Sequence, residues 1–183
     1  MGDHVITAPP LATSDWFNSV PLTLEALRGK VVVLGTFQML CPGCVSTSLP
    51  QLQRVYGSFD RKQVMVIGLH TVFEHHAAMT PVALAAFLHE YRITFPVAVD
   101  EPSTNTDVPV TMLRYAFQGT PSLALIDKGG QLRLKRFGHE PDLQLGAAIA
   151  RLVLEDGASF NDDTGKAGHA TSCPSQANLA RLS

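Results

Sequence analysis

Two cysteines three positions apart, Cys41 and Cys44, close the stretch GTFQMLCPGC that begins at Gly35. Sulfurs at this spacing could hold a metal, exchange disulfides, attack a peroxide, or simply lie buried. Disulfide exchange needs one exposed thiolate and a second thiol close enough to displace whatever the first has bound. The start of a helix meets both conditions. Its unpaired N–H groups favour negative charge, and one helical turn carries the second sulfur back beneath the first. Cys41 would then be the N-cap, Pro42 the first helical residue, where a missing N–H is harmless, and Cys44 would lie one turn in.

The metal reading asks more of the chain than the pair supplies. A closed zinc site wants four ligands, and only Cys173, in a polar C-terminal stretch, and scattered histidines remain. For copper the nearest histidine candidate is His139, in GHEP. Three cysteines in 183 residues are also too few, and odd in number, for a disulfide scaffold. The close pair reads as chemistry.

The elements that must position the pair are legible as patterns. KVVVLGTF, from Lys30, is a continuous β-branched run, as a strand buried on both faces should be. After the cysteines, Val45, Leu49, Leu52, Val55 and Tyr56 recur at helical spacing, with Pro50 inside the helix and expected to kink it. Val64 to Leu69 and Phe95 to Asp100 read as further buried strands. Between them Thr80 is an expected N-cap, with Pro81 at the first helical position of PVALAAFLHEYR. MLRYAF near Met112 reads as a short helix. Ser122 to Asp127, the turn around Gly129-Gly130 and QLRLKRFG form an expected antiparallel hairpin, and DLQLGAAIARLVLED an amphipathic closing helix. Alternating strands and helices, then a hairpin and a helix, predict an α/β sandwich around one mixed sheet. One domain over residues 1–156 and a flexible polar tail over 157–183 follow from the change in composition after Gly157.

Composition narrows the partners. Hydrophobic residues are 45% and charged residues 16%, with 14 Lys+Arg against 16 Asp+Glu, so no concentrated positive patch speaks for nucleic acid. No stretch reaches the length of a membrane span. The N-terminus, MGDHVITAPPLATSDWF, lacks a basic segment followed by an apolar one, and the expected location is cytoplasmic.

The segments PLTLEALRGKVVVLGTF, CPGC and YAFQGTPSLALIDKGGQL, in that order and within roughly Trp16 to Asp156, resemble the thioredoxin-like superfamily. The resemblance is closest to its TlpA-like thiol–disulfide oxidoreductases, themselves related to the AhpC/TSA redoxins. It implies a three-layer sandwich, a central mixed sheet flanked by helices. It implies disulfide exchange with protein thiol or disulfide substrates and a redox partner, with Cys41 forming a mixed disulfide and Cys44 resolving it. No bound cofactor is implied, because the redox equivalents reside in the two sulfurs. Gly119-Thr120-Pro121 matches the family's cis-proline loop, which implies that Thr120 and Pro121 bind substrate beside Cys41. Some TlpA-like reductases place a glutamate near the disulfide, which makes Glu74 a candidate proton acceptor; a solvated loop carboxylate is its ordinary role.

Departures from the family are specific. Leu40 stands where an aromatic residue usually precedes the first cysteine, Gly35 where thioredoxins carry a buried acid, and Pro-Gly replaces Gly-Pro between the cysteines. CPGCVSTSLP also resembles the active-site stretch of some peroxiredoxins, with Cys44, six residues before Pro50, as the peroxide-attacking thiol. In that alignment Phe37 replaces a proline, Cys41 a Thr/Ser hydroxyl, and Pro121 occupies the place of the supporting arginine. A thioredoxin-fold binding module with idle or metal-holding thiols is the reading from another class. His70, His75 and His76 form a local cluster for which surface or capping roles are expected.

Overall fold

The computed structural model describes residues 6–155. Seven strands form one sheet: β1 (Ile6–Thr7), β2 (Thr13–Phe17), β3 (Val31–Phe37), β4 (Val64–His70), β5 (Val97–Asp100), β6 (Ser122–Ile126) and β7 (Gln131–Phe137). Their spatial order is β1-β7-β6-β3-β4-β5-β2. β3 and β4 run parallel, as do β4 and β5, whereas β6 is antiparallel to both β3 and β7. The sheet is therefore mixed. All seven residues of β3 are buried, as its continuous, Val-rich run requires of a central strand covered on both faces.

Right-handed crossovers determine which face each helix covers. From β3 to β4 and on to β5 the chain moves in one direction across the sheet, so α1 (Leu49–Ser58) and α2 (Pro81–Glu90) share a face, and α4 (Asp142–Leu154) joins them. Their Leu52, Leu84, Leu145 and Ile149 pack there on Val31, Val33 and Phe37. The return to β6 puts α3 (Val110–Arg114) on the opposite face, where Met112 meets Leu24, Leu27, Val32 and Leu34. This is the three-layer sandwich expected.

Local chemistry accounts for the boundaries. Thr80 caps α2 by accepting the Ala83 N–H, with Pro81 following as the first helical residue. Gly130, at φ +77°, turns the β6–β7 hairpin, and its N–H donates to the Asp127 carbonyl. Buried Asp100 takes the Thr111 and Met112 N–H groups and the Thr71 hydroxyl, tying β4, β5 and the start of α3 together.

The structure departs from the sequence-based expectation in three places. Two strands, β1 and β2, form where none was expected. β2 is the polar, half-exposed TSDWF at the edge of the sheet, so it lacks the apolar run of the central strands. The helix after the cysteines is not simply kinked by Pro50. Its first turns widen into a π-helix over Cys44–Ser48, with Leu49 N–H reaching the Cys44 carbonyl, and Pro50 then opens α1. Proline has no N–H for the Ser46 carbonyl and its ring crowds that oxygen, so a wider turn resolves the conflict. His70 is not a surface histidine. As the last residue of β4 it pairs in register with Phe37 and is 1% exposed, whereas His75 and His76 are exposed. Residues 157–183, including Cys173, lie outside the described residues.

Candidate active site

Cys41 sits where β3 has ended and the helix begins, half-buried, and Cys44 one turn later is fully buried. Both are free thiols. The Cys41 carbonyl accepts the Cys44 and Val45 N–H groups at 3.1 Å each, and the Cys44 N–H also lies 3.2 Å from Cys41 Sγ. Cys41 thus occupies the N-cap, with its sulfur in the place of a capping oxygen and aligned with the helix dipole. Pro42 opens the helix as its spacing predicted.

The second wall of the site is the loop before β6. Its Thr120–Pro121 peptide is cis, and Cys41 Sγ lies 3.6 Å from the Thr120 carbonyl oxygen. A Cβ on Gly43 would stand 3.6 Å from Pro121 Cδ, so the first helical turn and this loop face each other directly. The loop is held from behind. Ser122 Oγ donates to the Gly119 carbonyl at 2.7 Å, Gly138 N–H to the Pro121 carbonyl at 2.9 Å, and Ser122 N–H to Thr36 Oγ1 at 2.9 Å. Cys41, Cys44, Thr120 and Pro121, 76 or more positions apart in their two groups, are thereby brought together.

The two sulfurs differ in character. Burial, and then the neighbouring Cys41 thiol, push the Cys44 thiol up to about 12, against the opposing effect of the Gln38 backbone and the Thr120 hydroxyl. In the dithiol form Cys44 therefore stays protonated at neutral pH, and the accessible sulfur is that of Cys41. A buried Cys44 sulfur with its thiol pushed up suits the peroxide-attacking role poorly, since that role needs an exposed, ionised sulfur.

Glu74 is exposed in the loop after β4, and none of the described hydrogen bonds or ion pairs joins it to either cysteine. His139 is likewise exposed, and among the described residues no three His, Cys, Asp or Glu side chains converge as metal ligands. Leu52 occupies the space at the position of the thioredoxin acid. A Cβ on Gly35 would stand 2.6 Å from Leu52 Cδ1, so α1 packs directly on the glycine backbone.

Of two further residues near the site, Gln38 escaped sequence reasoning and His70 was expected at the surface. Gln38, 1% exposed, gives its carbonyl to the Cys41 N–H, and its Nε2 lies 3.5 Å from Thr120 Oγ1. A polar residue interrupting the apolar TFQML was the available signal. His70 packs its ring 5.2 Å from that of Phe37, its Nε2 has no partner among the described residues, and burial lowers it to about 4. Its ordinary value is 6.5. As pH falls below 6.5 the unfolded chain takes up a proton that the folded chain refuses until about 4, so folding stability declines across that window. The expected loss is about 3 kcal/mol, from 1.36 kcal/mol per pKa unit. His70→Phe should flatten this part of the pH dependence in urea unfolding; an equal slope in both proteins would contradict the buried neutral imidazole.

A dithiol at a strand–helix junction, apposed to a cis-proline loop on this mixed sheet, defines a protein of the thioredoxin-like class. Within it the chain belongs to the AhpC/TSA family, whose family model matches residues 7–135. It is similar to a thioredoxin-like superfamily protein of known crystal structure, at 56% identity and a TM-score of 0.81, over 82% of this chain and 98% of the other. It is also similar to a thiol-disulfide isomerase from Corynebacterium glutamicum, at 48% identity and a TM-score of 0.78, over 81% and 98% of the respective chains. Among curated relatives, the DipZ protein of Mycobacterium bovis is 29% identical over 154 residues, 82% of this chain but 21% of its own length. The chain thus spans about a fifth of that relative. The thiol-disulfide oxidoreductase ResA of Bacillus cereus is 28% identical over 146 residues, 80% of this chain and 76% of ResA.

Proposed function

We propose that the protein is a thiol–disulfide oxidoreductase that exchanges disulfides with protein substrates through Cys41 and Cys44. The observation that carries this reading is the asymmetry of the pair: an accessible sulfur at a helix N-cap, with a buried protonated thiol one turn behind it. Acting as a reductant, Cys41 thiolate attacks a substrate disulfide, forms a mixed disulfide and expels one substrate thiolate. Cys44 then attacks Cys41 Sγ, forming the Cys41–Cys44 bond and releasing the second substrate sulfur, which takes up the proton Cys44 gives up. No other electron carrier is required.

Substrate docks along the loop at Thr120 and Pro121. That loop ends in β6, and Leu40 and Phe137, each 57% exposed, add apolar surface on the chain beside Cys41 and beside the loop's tie to Gly138. Backbone groups and small apolar contacts suit an extended, partly unfolded segment better than a single side-chain sequence. Relatives that carry the names oxidoreductase and isomerase support this chemistry. The fully reduced chain, mixed with a disulfide-bonded test protein, should generate substrate thiols in step with Cys41–Cys44 bond formation. Substrate thiols appearing without that intramolecular bond, or none appearing, would contradict the proposal.

A further inference from the structure

Gln38 is buried, polar and unused by the disulfide chemistry above. Its side-chain carbonyl Oε1 is buried with no hydrogen-bond partner among the described residues, whereas Nε2 donates to Thr120 Oγ1 at 3.5 Å. Leaving a buried amide oxygen unmet is costly, and methionine would span the same length without that cost. Resting on the disulfide-exchange reading, we propose that Gln38 is a positioning residue. It holds the substrate-docking loop in register with Cys41 once Cys41 has lost its hydrogen.

Among the described residues two polar ties cross from the cysteine turn to that loop, and both end on Thr120. In one, the Cys41 thiol donates to the Thr120 carbonyl, with Sγ 3.6 Å from the oxygen. In the other, the Gln38 amide donates to the Thr120 hydroxyl oxygen. Gln38 grips the cysteine side as well, because its backbone carbonyl accepts the Cys41 N–H at 3.2 Å. The first tie depends on the thiol hydrogen. A thiolate offers only lone pairs, as does a carbonyl oxygen, so this tie is absent in the form of Cys41 that attacks a disulfide. It is absent again in the mixed disulfide, where Cys41 Sγ is bonded to the substrate sulfur. The amide tie involves neither sulfur and persists through every stage of the exchange. The next residue of the loop cannot replace it, since Pro121 has no N–H, and Ser122 is already bonded to Thr36 within the sheet. Gln38 therefore fixes the offset between the nucleophile and the Thr120 backbone along which a substrate chain lies, and small errors in such an offset are expensive in rate.

The test uses the full reduced chain in single turnovers against two oxidants, a disulfide-linked peptide and bis(2-hydroxyethyl) disulfide. Acid quenching and mass spectrometry follow formation of the Cys41–Cys44 bond. The small disulfide has no backbone to lay along the loop. Gln38→Met should raise the half-saturating peptide concentration about fivefold, the effect of losing one ordinary hydrogen bond. It should leave the limiting rate with peptide, and the rate with the small disulfide, at their wild-type values. Thr120→Val should raise the half-saturating peptide concentration too, and adding Gln38→Met to it should cost nothing further. An unchanged half-saturating concentration in Gln38→Met would overturn the assignment. Equal slowing with both oxidants would also overturn it, because a general disturbance of the site does not distinguish a docked chain from a small molecule. A wild-type chain that consumes either oxidant without forming the Cys41–Cys44 bond would instead remove the exchange reading itself.

Discussion

Cys41→Ser is expected to reduce disulfide exchange to the uncatalysed background, and Cys44→Ser to accumulate the protein as mixed disulfides with its substrates. The two outcomes differ because the sulfurs occupy different places. Cys41 is half-buried at the helix N-cap, where N–H groups and the helix dipole can hold its charge and a substrate sulfur can reach it. Serine there keeps the cap and loses the nucleophile, so the fold should survive while chemistry stops. Cys44 is inaccessible, and substrate meets it only after Cys41 has been joined. Removing its sulfur leaves the first step intact and blocks the second, so partner proteins should be recovered covalently bound and released by reductant. Multiple turnover by Cys44→Ser with no trapped partner, measured by non-reducing electrophoresis and mass spectrometry, would reverse the assignment of roles.

Substitution at Gly35 should lower the stability of the strand that leads to the site. The alanine Cβ would enter at 2.6 Å from Leu52 Cδ1 and 3.1 Å from Cδ2, inside the cluster that joins β3 to α1. Overpacking of this kind costs about 1–3 kcal/mol. Gly35→Asp should cost more, since it adds a carboxylate among apolar side chains with no cation beside it. Urea unfolding should show Gly35→Ala lowering the midpoint. The loss should be smaller when Leu52→Ala is also present, because the truncated side chain vacates the space the methyl needs. Equal midpoints for wild type and Gly35→Ala would show that α1 does not rest on the strand at this point.

The parts of the molecule that local chemistry determines could be read from the chain. KVVVLGTF announces a buried strand, Thr80-Pro81 a helix start, and Gly129-Gly130 a hairpin, because each depends on residues within a few positions. The cysteines and Thr120-Pro121 could be read as one site only through resemblance, since nothing local joins positions so far apart. Gln38 illustrates the limit: its contact lies 82 residues away, and no spacing rule links the two. β2 was invisible for a different reason. An edge strand buries little, so TSDWF carries no apolar run, and its pairing to β5 supplies what its composition does not. His70 was misjudged because its histidine neighbours at 75 and 76 suggested a surface cluster, whereas β4 extends one residue further and buries it against Phe37.

The proposed function requires Cys41 and Cys44 to act as a reversible dithiol switch. Equilibrating the full chain in glutathione buffers of graded redox poise, quenching it and mapping the bonded cysteines by mass spectrometry tests that claim most directly. The expected result is one two-electron transition in which Cys41–Cys44 is the bond formed, reversible from both directions and retained in Cys173→Ser. If those two sulfurs stay unpaired across the full range of poise, the CPGC stretch is not a dithiol switch and the proposed function is wrong.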